Sequence, residues 1–268
     1  MSGELIEREE GIEVESHYIR DRNVLLTRAE FSSLYVDYYL HLADLHLKYA
    51  PELDQLFKDL LAALILHGAS RPWNEKYAWT LNFQEPRANL FVTGDNMSGI
   101  VVGTIFTDNV KESDSNLMFA EVIRGNHPKR RSVIDFNGTQ LFPAVEAFYR
   151  QSEQRICRYF QVDDEEFWFL SAQPDCDEDW LLALEVDDLE KLEQNEELSL
   201  LEKRKVRWDC GCNESHMYEV LLPAFQQDGD VLFQGEESLK MQCPRCGMFY
   251  VITREGIEAF AQERAGQA

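Results

Sequence analysis

The stretches WDCGCNESH (Trp208–His216) and MQCPRCGMFY (Met241–Tyr250) hold four of the chain's 6 cysteines, one pair spaced C-x-C and the other C-x-x-C. In a chain whose thiols stay reduced, paired cysteines at this spacing point to a metal site rather than a disulfide framework. A structural Zn2+ takes four ligands in a tetrahedron, and thiolates suit it at about 2.3 Å. CPRCG is a favourable knuckle, because Pro244 pre-bends the turn. Gly247 can take a positive φ, which lets backbone N–H groups approach the sulfurs. In the tighter C-x-C pair, Gly211 supplies the extra freedom. The expected site is one Zn2+ held by four thiolates, from Cys210, Cys212, Cys243 and Cys246. His216, four residues past Cys212, is the alternative fourth ligand.

A unit of this size has little core of its own, so its metal should carry on the order of 10 kcal/mol of its folding. Zinc-held thiolates are also oxidisable. Their conversion to disulfides releases the metal, which makes folding the output of a redox switch. Cys176 lies among Asp175, Asp177, Glu178 and Asp179, which disfavour its thiolate. Cys157 falls in an expected strand and reads as structural.

Working back from the cysteines, the segment from Pro174 to Lys203 is strongly acidic but keeps a leucine periodicity, and reads as helices with a weak apolar face. Upstream, apolar residues recur every three or four positions over Phe31–Tyr49 and again after Pro51, predicting two amphipathic helices. His67 then sits in a last turn, where a cation is favoured. Five segments from Tyr77 to Phe136 alternate with period two and read as strands. A third helix (Phe142–Ser152) and two more strands (Arg155–Val162, Glu166–Ala172) follow. HPKRR (His127–Arg131) reads as a solvated loop. The expected organisation is an acidic tail (1–15), an α+β domain (16–174), an acidic helical linker (175–206) and a small zinc-binding domain (207–268).

The net charge is −23, which opposes general nucleic-acid binding. The longest apolar run, Leu60–Leu66, is far short of the roughly 20 residues of a spanning helix. The N-terminus lacks the pattern of a secretory signal. A cytoplasmic protein away from membranes is expected. No nucleophile–base pair, P-loop or dinucleotide fingerprint is found, and four thiolates would close the zinc shell, so an enzyme is not expected.

The order C-x-C … C-x-x-C closed by CPRCGMFYVITREGIEAF resembles the bacterial redox-regulated holdase family, heat-shock protein 33. PAVEAFYRQSEQRICRYF (Pro143–Phe160), with Gln151-Ser152-Glu153-Gln154, resembles that family's N-terminal domain, and LFKDLLAALIL also fits. The resemblance implies a folded, zinc-bound chaperone that is inactive when reduced. Oxidation would form redox-active disulfides within the pairs Cys210/Cys212 and Cys243/Cys246, release zinc and destabilise the linker. The exposed surface would then bind unfolding clients without ATP, as a homodimer. The other reading is a constitutive binding protein with a purely structural zinc module, reaching nucleic acid or a protein partner through Arg204, Lys205, Arg207 and Arg245.

Overall fold

The computed structural model describes residues 11–267, with side chains to residue 265. The described residues divide into two compact units, with the boundary between Asp209 and Cys210. The first is α+β. Its chain order is β1 (Ile12–Ile19), β2 (Val24–Glu30), α1 (Ser32–Asp44), α2 (Pro51–Ala69), β3 (Glu75–Phe83), β4 (Ala88–Asp95), β5 (Ile100–Phe106), β6 (Asn116–Arg124) and β7 (Arg130–Phe136). Then come α3 (Leu141–Phe148), β8 (Cys157–Gln161), β9 (Glu166–Ala172), the short helices α4 (Glu178–Ala183), α5 (Val186–Leu189) and α6 (Leu192–Asn195), and β10 (Leu198–Trp208). The strands form one sheet in the order β7-β6-β3-β4-β5-β10-β1-β2-β9-β8.

The main core lies where α2 packs on this sheet. Pro51 occupies the first turn of α2 with Glu52 and Asp54 beside it, which suits the positive end of a helix. From Leu60 through Leu66 every residue of α2 is buried, against Trp79, Leu81, Leu90 and Val92 of the sheet. His67 does sit in the last turn, but not as a cation. It is buried, and desolvation pushes its proton affinity well below the ordinary imidazole value, with Arg71 adding to the effect. Its Nδ1 is hydrogen-bonded to the Tyr149 hydroxyl.

Two expectations are corrected. Residues 1–10 of the acidic tail lie outside the described residues, but Ile12–Glu15 is strand, not tail: Ile12 and Val14 are buried while Glu13 is exposed. The linker is helical only to Asn195, and its last part is the strand β10. These two segments specify each other, with Ile12 opposite Val206, Glu13 opposite Lys205 and Val14 opposite Arg204. Acidic residues of one strand meet basic residues of the other, and Lys203 bonds both Glu13 and Glu15 at 2.8 Å. β1 carries the period-two alternation in Ile12-Glu13-Val14-Glu15, but β10 is charged along much of its length and buries only Arg204, so the pairing is not legible from either alone.

The acidic helices cover the apolar face at the β1-β2-β9-β8 end. Leu181, Leu184, Leu189 and Leu192 are buried against Ile19, Leu26, Phe160, Trp168 and Leu170. Helices of four to six residues do not persist alone in water, so burial holds this layer, at about 2 kcal/mol for a fully buried leucine. Ion pairs latch it as well: Arg22 to Asp177 (2.7 Å) and Glu196 (2.9 Å), and Arg28 to Glu193 (2.7 Å). The acidity of the segment is answered by arginines around β1 and β2.

The second unit contains α7 (Glu214–Phe233), β11 (Ser238–Gln242), β12 (Phe249–Thr253) and α8 (Arg254–Gln267). At Asp228 the helix α7 is broken. Asp228 is extended, and its carboxylate accepts from the N–H groups of Asp230 and Val231, capping the second segment.

Candidate metal centre

The two knuckles bring the four expected cysteines together. All four sulfurs lie within 4.8 Å of one another. Cys210 and Cys243 are 3.7 Å apart, and Cys212 and Cys246 are 3.5 Å apart. A tetrahedral Zn2+ with sulfurs at 2.3 Å requires sulfur–sulfur separations of about 3.8 Å, so the donor set fits the ion. Cys243 and Cys246 are buried, and Cys210 and Cys212 are half-buried.

Backbone conformation explains the glycines. Gly211 has φ +64° and Gly247 φ +81°, both in the left-handed region that an L side chain disfavours. In the C-x-x-C turn the Gly247 N–H donates to the Cys243 carbonyl at 2.9 Å. The N–H of Met248 faces the Cys246 sulfur, and Arg245 donates to the Cys210 carbonyl at 3.1 Å. The Tyr250 hydroxyl is 3.0 Å from both the carbonyl oxygen and the sulfur of Cys212. Tyr250 and Arg245 tie the two knuckles together, and the spacing argument missed both because it considers ligands only.

The electrostatics also suit a cation. Cys210 is pulled down to about 5, chiefly by a hydrogen bond from the Cys246 thiol, with Cys212, Cys243 and Arg245 assisting. Cys246 is pushed up, first because its proton is held in that bond. Burial raises Cys212 to about 11. The cluster accepts one negative charge readily and resists the next, and a divalent ion removes that resistance.

His216 is not in the cluster: its imidazole is exposed and faces Glu219 at 3.6 Å. Cys157 is buried, with its thiol pushed well up by desolvation, and Cys176 is raised by burial and then by Glu178 and Asp177. Neither belongs to the site. The expected basic cluster is largely consumed internally. Arg204 is buried, bonds the Gly68 carbonyl and stacks on Trp73, Arg207 pairs with Asp209, and Arg245 is held as described. No helix among the described residues is long and apolar enough to cross a membrane.

The family described as Hsp33 protein matches residues 161–253. Over that span the chain is similar to the Hsp33 family. The match takes in β9, the acidic helices, β10 and all four clustered cysteines. Among curated proteins, this Hsp33-like chain is 22% identical to the 33 kDa chaperonin of Photorhabdus laumondii, covering 84% of this chain and 89% of that protein. It is 29% identical to the 33 kDa chaperonin of Caldanaerobacter subterraneus over 77 residues, which is 26% of that protein. The crystal structure of the 33 kDa chaperonin (Hsp33 homolog) of Thermotoga maritima matches with a TM-score of 0.72 at 12% identity, over 96% of this chain and 99% of that one. At that identity the likeness establishes the fold.

Proposed function

We propose that this Hsp33-like chain is a redox-regulated, ATP-independent holdase of the cytoplasm and not an enzyme. The observation that carries the reading is the placement of one strand. β10 starts a few residues after the acidic helices that cover an apolar sheet face, and ends two residues before Cys210. Bound Zn2+ would neutralise the thiolates of Cys210, Cys212, Cys243 and Cys246 and hold the two knuckles folded. Peroxide takes two electrons from each pair of thiolates and two protons from solvent, leaving a disulfide and two waters, and the cluster loses its charge and its ligands. The cysteine unit, with few buried residues of its own, then unfolds. β10 loses its anchored C-terminal neighbour, and the acidic layer loosens at its downstream end.

Loosening that layer bares Ile19, Leu26, Phe160, Trp168 and Leu170, a surface suited to unfolding client proteins. The same bared surface would allow a homodimer to form when oxidised. β10 also sets the threshold, since its pairing with β1 and the Lys203 ion pairs must give way for the signal to pass. The disulfides proposed are Cys210–Cys212 and Cys243–Cys246. The sulfurs also approach one another across the pairs, so peptide mapping of the oxidised chain decides the connectivity.

The test treats zinc-loaded protein with peroxide or hypochlorite and follows zinc release and suppression of a client's thermal aggregation. Release and suppression should rise together. Zinc retained with unchanged activity sinks the switch and leaves a constitutive binding protein with a structural zinc.

A further inference from the structure

A second polar site lies at the C-terminal end of α2, away from the cysteines in sequence and in a different unit. Its cavity of about 240 Å3 is lined by Arg71, Arg124, Arg130, His127 and Glu75, beside Val122. This cationic lining stands out on a chain of net charge −23. Three elements deliver the arginines: Arg71 from just past α2, Arg124 from the end of β6 and Arg130 from the start of β7. HPKRR is therefore not simply a solvated loop. Its Lys129 and Arg131 pair with Glu121, while Arg130 turns to the cleft.

The cleft is pre-built. Buried Glu75 accepts from Nε of Arg71 at 3.0 Å and from Nε of Arg124 at 2.8 Å. Glu153 accepts from Nη1 of Arg71 at 3.0 Å. These bonds fix the guanidinium planes but leave donors over. Arg124 is 48% and Arg130 62% exposed, and Arg130 reaches Glu153 only at 3.6 Å. Arg155 stands 3.9 Å from Glu153. Four guanidinium charges thus meet two carboxylates. The excess is felt at His67, where Arg71, Arg155 and Arg130 add to burial in suppressing protonation.

Guanidinium forks match the oxygens of a tetrahedral oxyanion. The cavity is smaller than the roughly 300–1,000 Å3 that accepts a drug-sized apolar ligand. We propose that this cleft binds a small phosphate-bearing anion, with Arg124 and Arg130 offering exposed donors over a floor fixed at Arg71.

Calorimetric titration of the zinc-loaded full chain at constant ionic strength tests this, with inorganic phosphate and tripolyphosphate in separate arms. Saturable one-site binding is expected. Binding in both arms means that a single phosphoryl group is recognised, and binding of tripolyphosphate alone means that a phosphate chain is. Arg130→Gln, at an exposed position, should weaken binding about tenfold or more. Lys129→Gln removes the same charge next door and should leave the affinity within about twofold. The proposal is overturned by an absence of saturable binding in both arms, by an Arg130→Gln protein that binds like its parent, or by equal loss in the two variants.

Discussion

The sheet unit and the cysteine unit are held by different physics. In the first, α2 is buried along a whole stretch against strands whose inward residues are large and apolar. In the second, Met217, Leu222, Phe233, Ile252 and Ile257 form a small core, and the four thiols take the place of a larger one. A large core fails gradually as side chains are trimmed, whereas a unit stapled by one ion fails when the ion leaves. The difference suits the larger unit to the role of platform and the smaller to the role of trigger in the proposed switch.

The sharpest way to break the comparison is to remove the metal. Chelation, or Cys246→Ser, should cost the cysteine unit on the order of 10 kcal/mol. Hydrogen exchange should then reach the full unfolded rate over residues 210–268, with amides of α2 and β3 still protected. Equal loss of protection in both units would erase the distinction.

Next come two leucines with the same chemistry and different roles. Leu64→Ala, in the main core, should lower global stability by about 2–5 kcal/mol in a denaturant titration. Leu189→Ala, under the acidic helices, should cost about 2 kcal/mol, felt locally. It should raise binding of an apolar dye and allow client suppression in reduced, zinc-loaded protein. If Leu189→Ala leaves both readouts at the parent's level, the layer is not the gate.

The smallest effect concerns β1, through its pairing with β10. Glu15 is held at about 2, first by the hydrogen bond from Lys203, then by His17, against an ordinary value of 4.5. Its carboxylate stays ionised in the folded chain where the unfolded chain would protonate it. The stabilisation is complete above about pH 4.5 and is lost as pH falls toward 2. The group is partly exposed, so about 1 kcal/mol is expected. Comparing unfolding midpoints of the parent and Glu15→Gln between pH 6 and pH 3 reads it: the gap should narrow on acidification. A gap that widens assigns Glu15 no such role.

The sequence by itself determined the cysteine site and most of the helices and strands of the first unit. Those features are local. The spacing of two cysteines across a turn, a glycine that can take a positive φ, and a period of three and four along Leu53–Ile65 need no distant partner. Only the tertiary structure decided that Ile12–Ile19 and Leu198–Trp208 are neighbouring strands, since the bond from Lys203 to Glu13 spans 190 residues. It also decided what the acidic leucines cover, and that arginines 71, 124 and 130 line one cleft. Charge and burial at those places are properties of pairs of segments, and a pair exists only once the chain has folded back on itself.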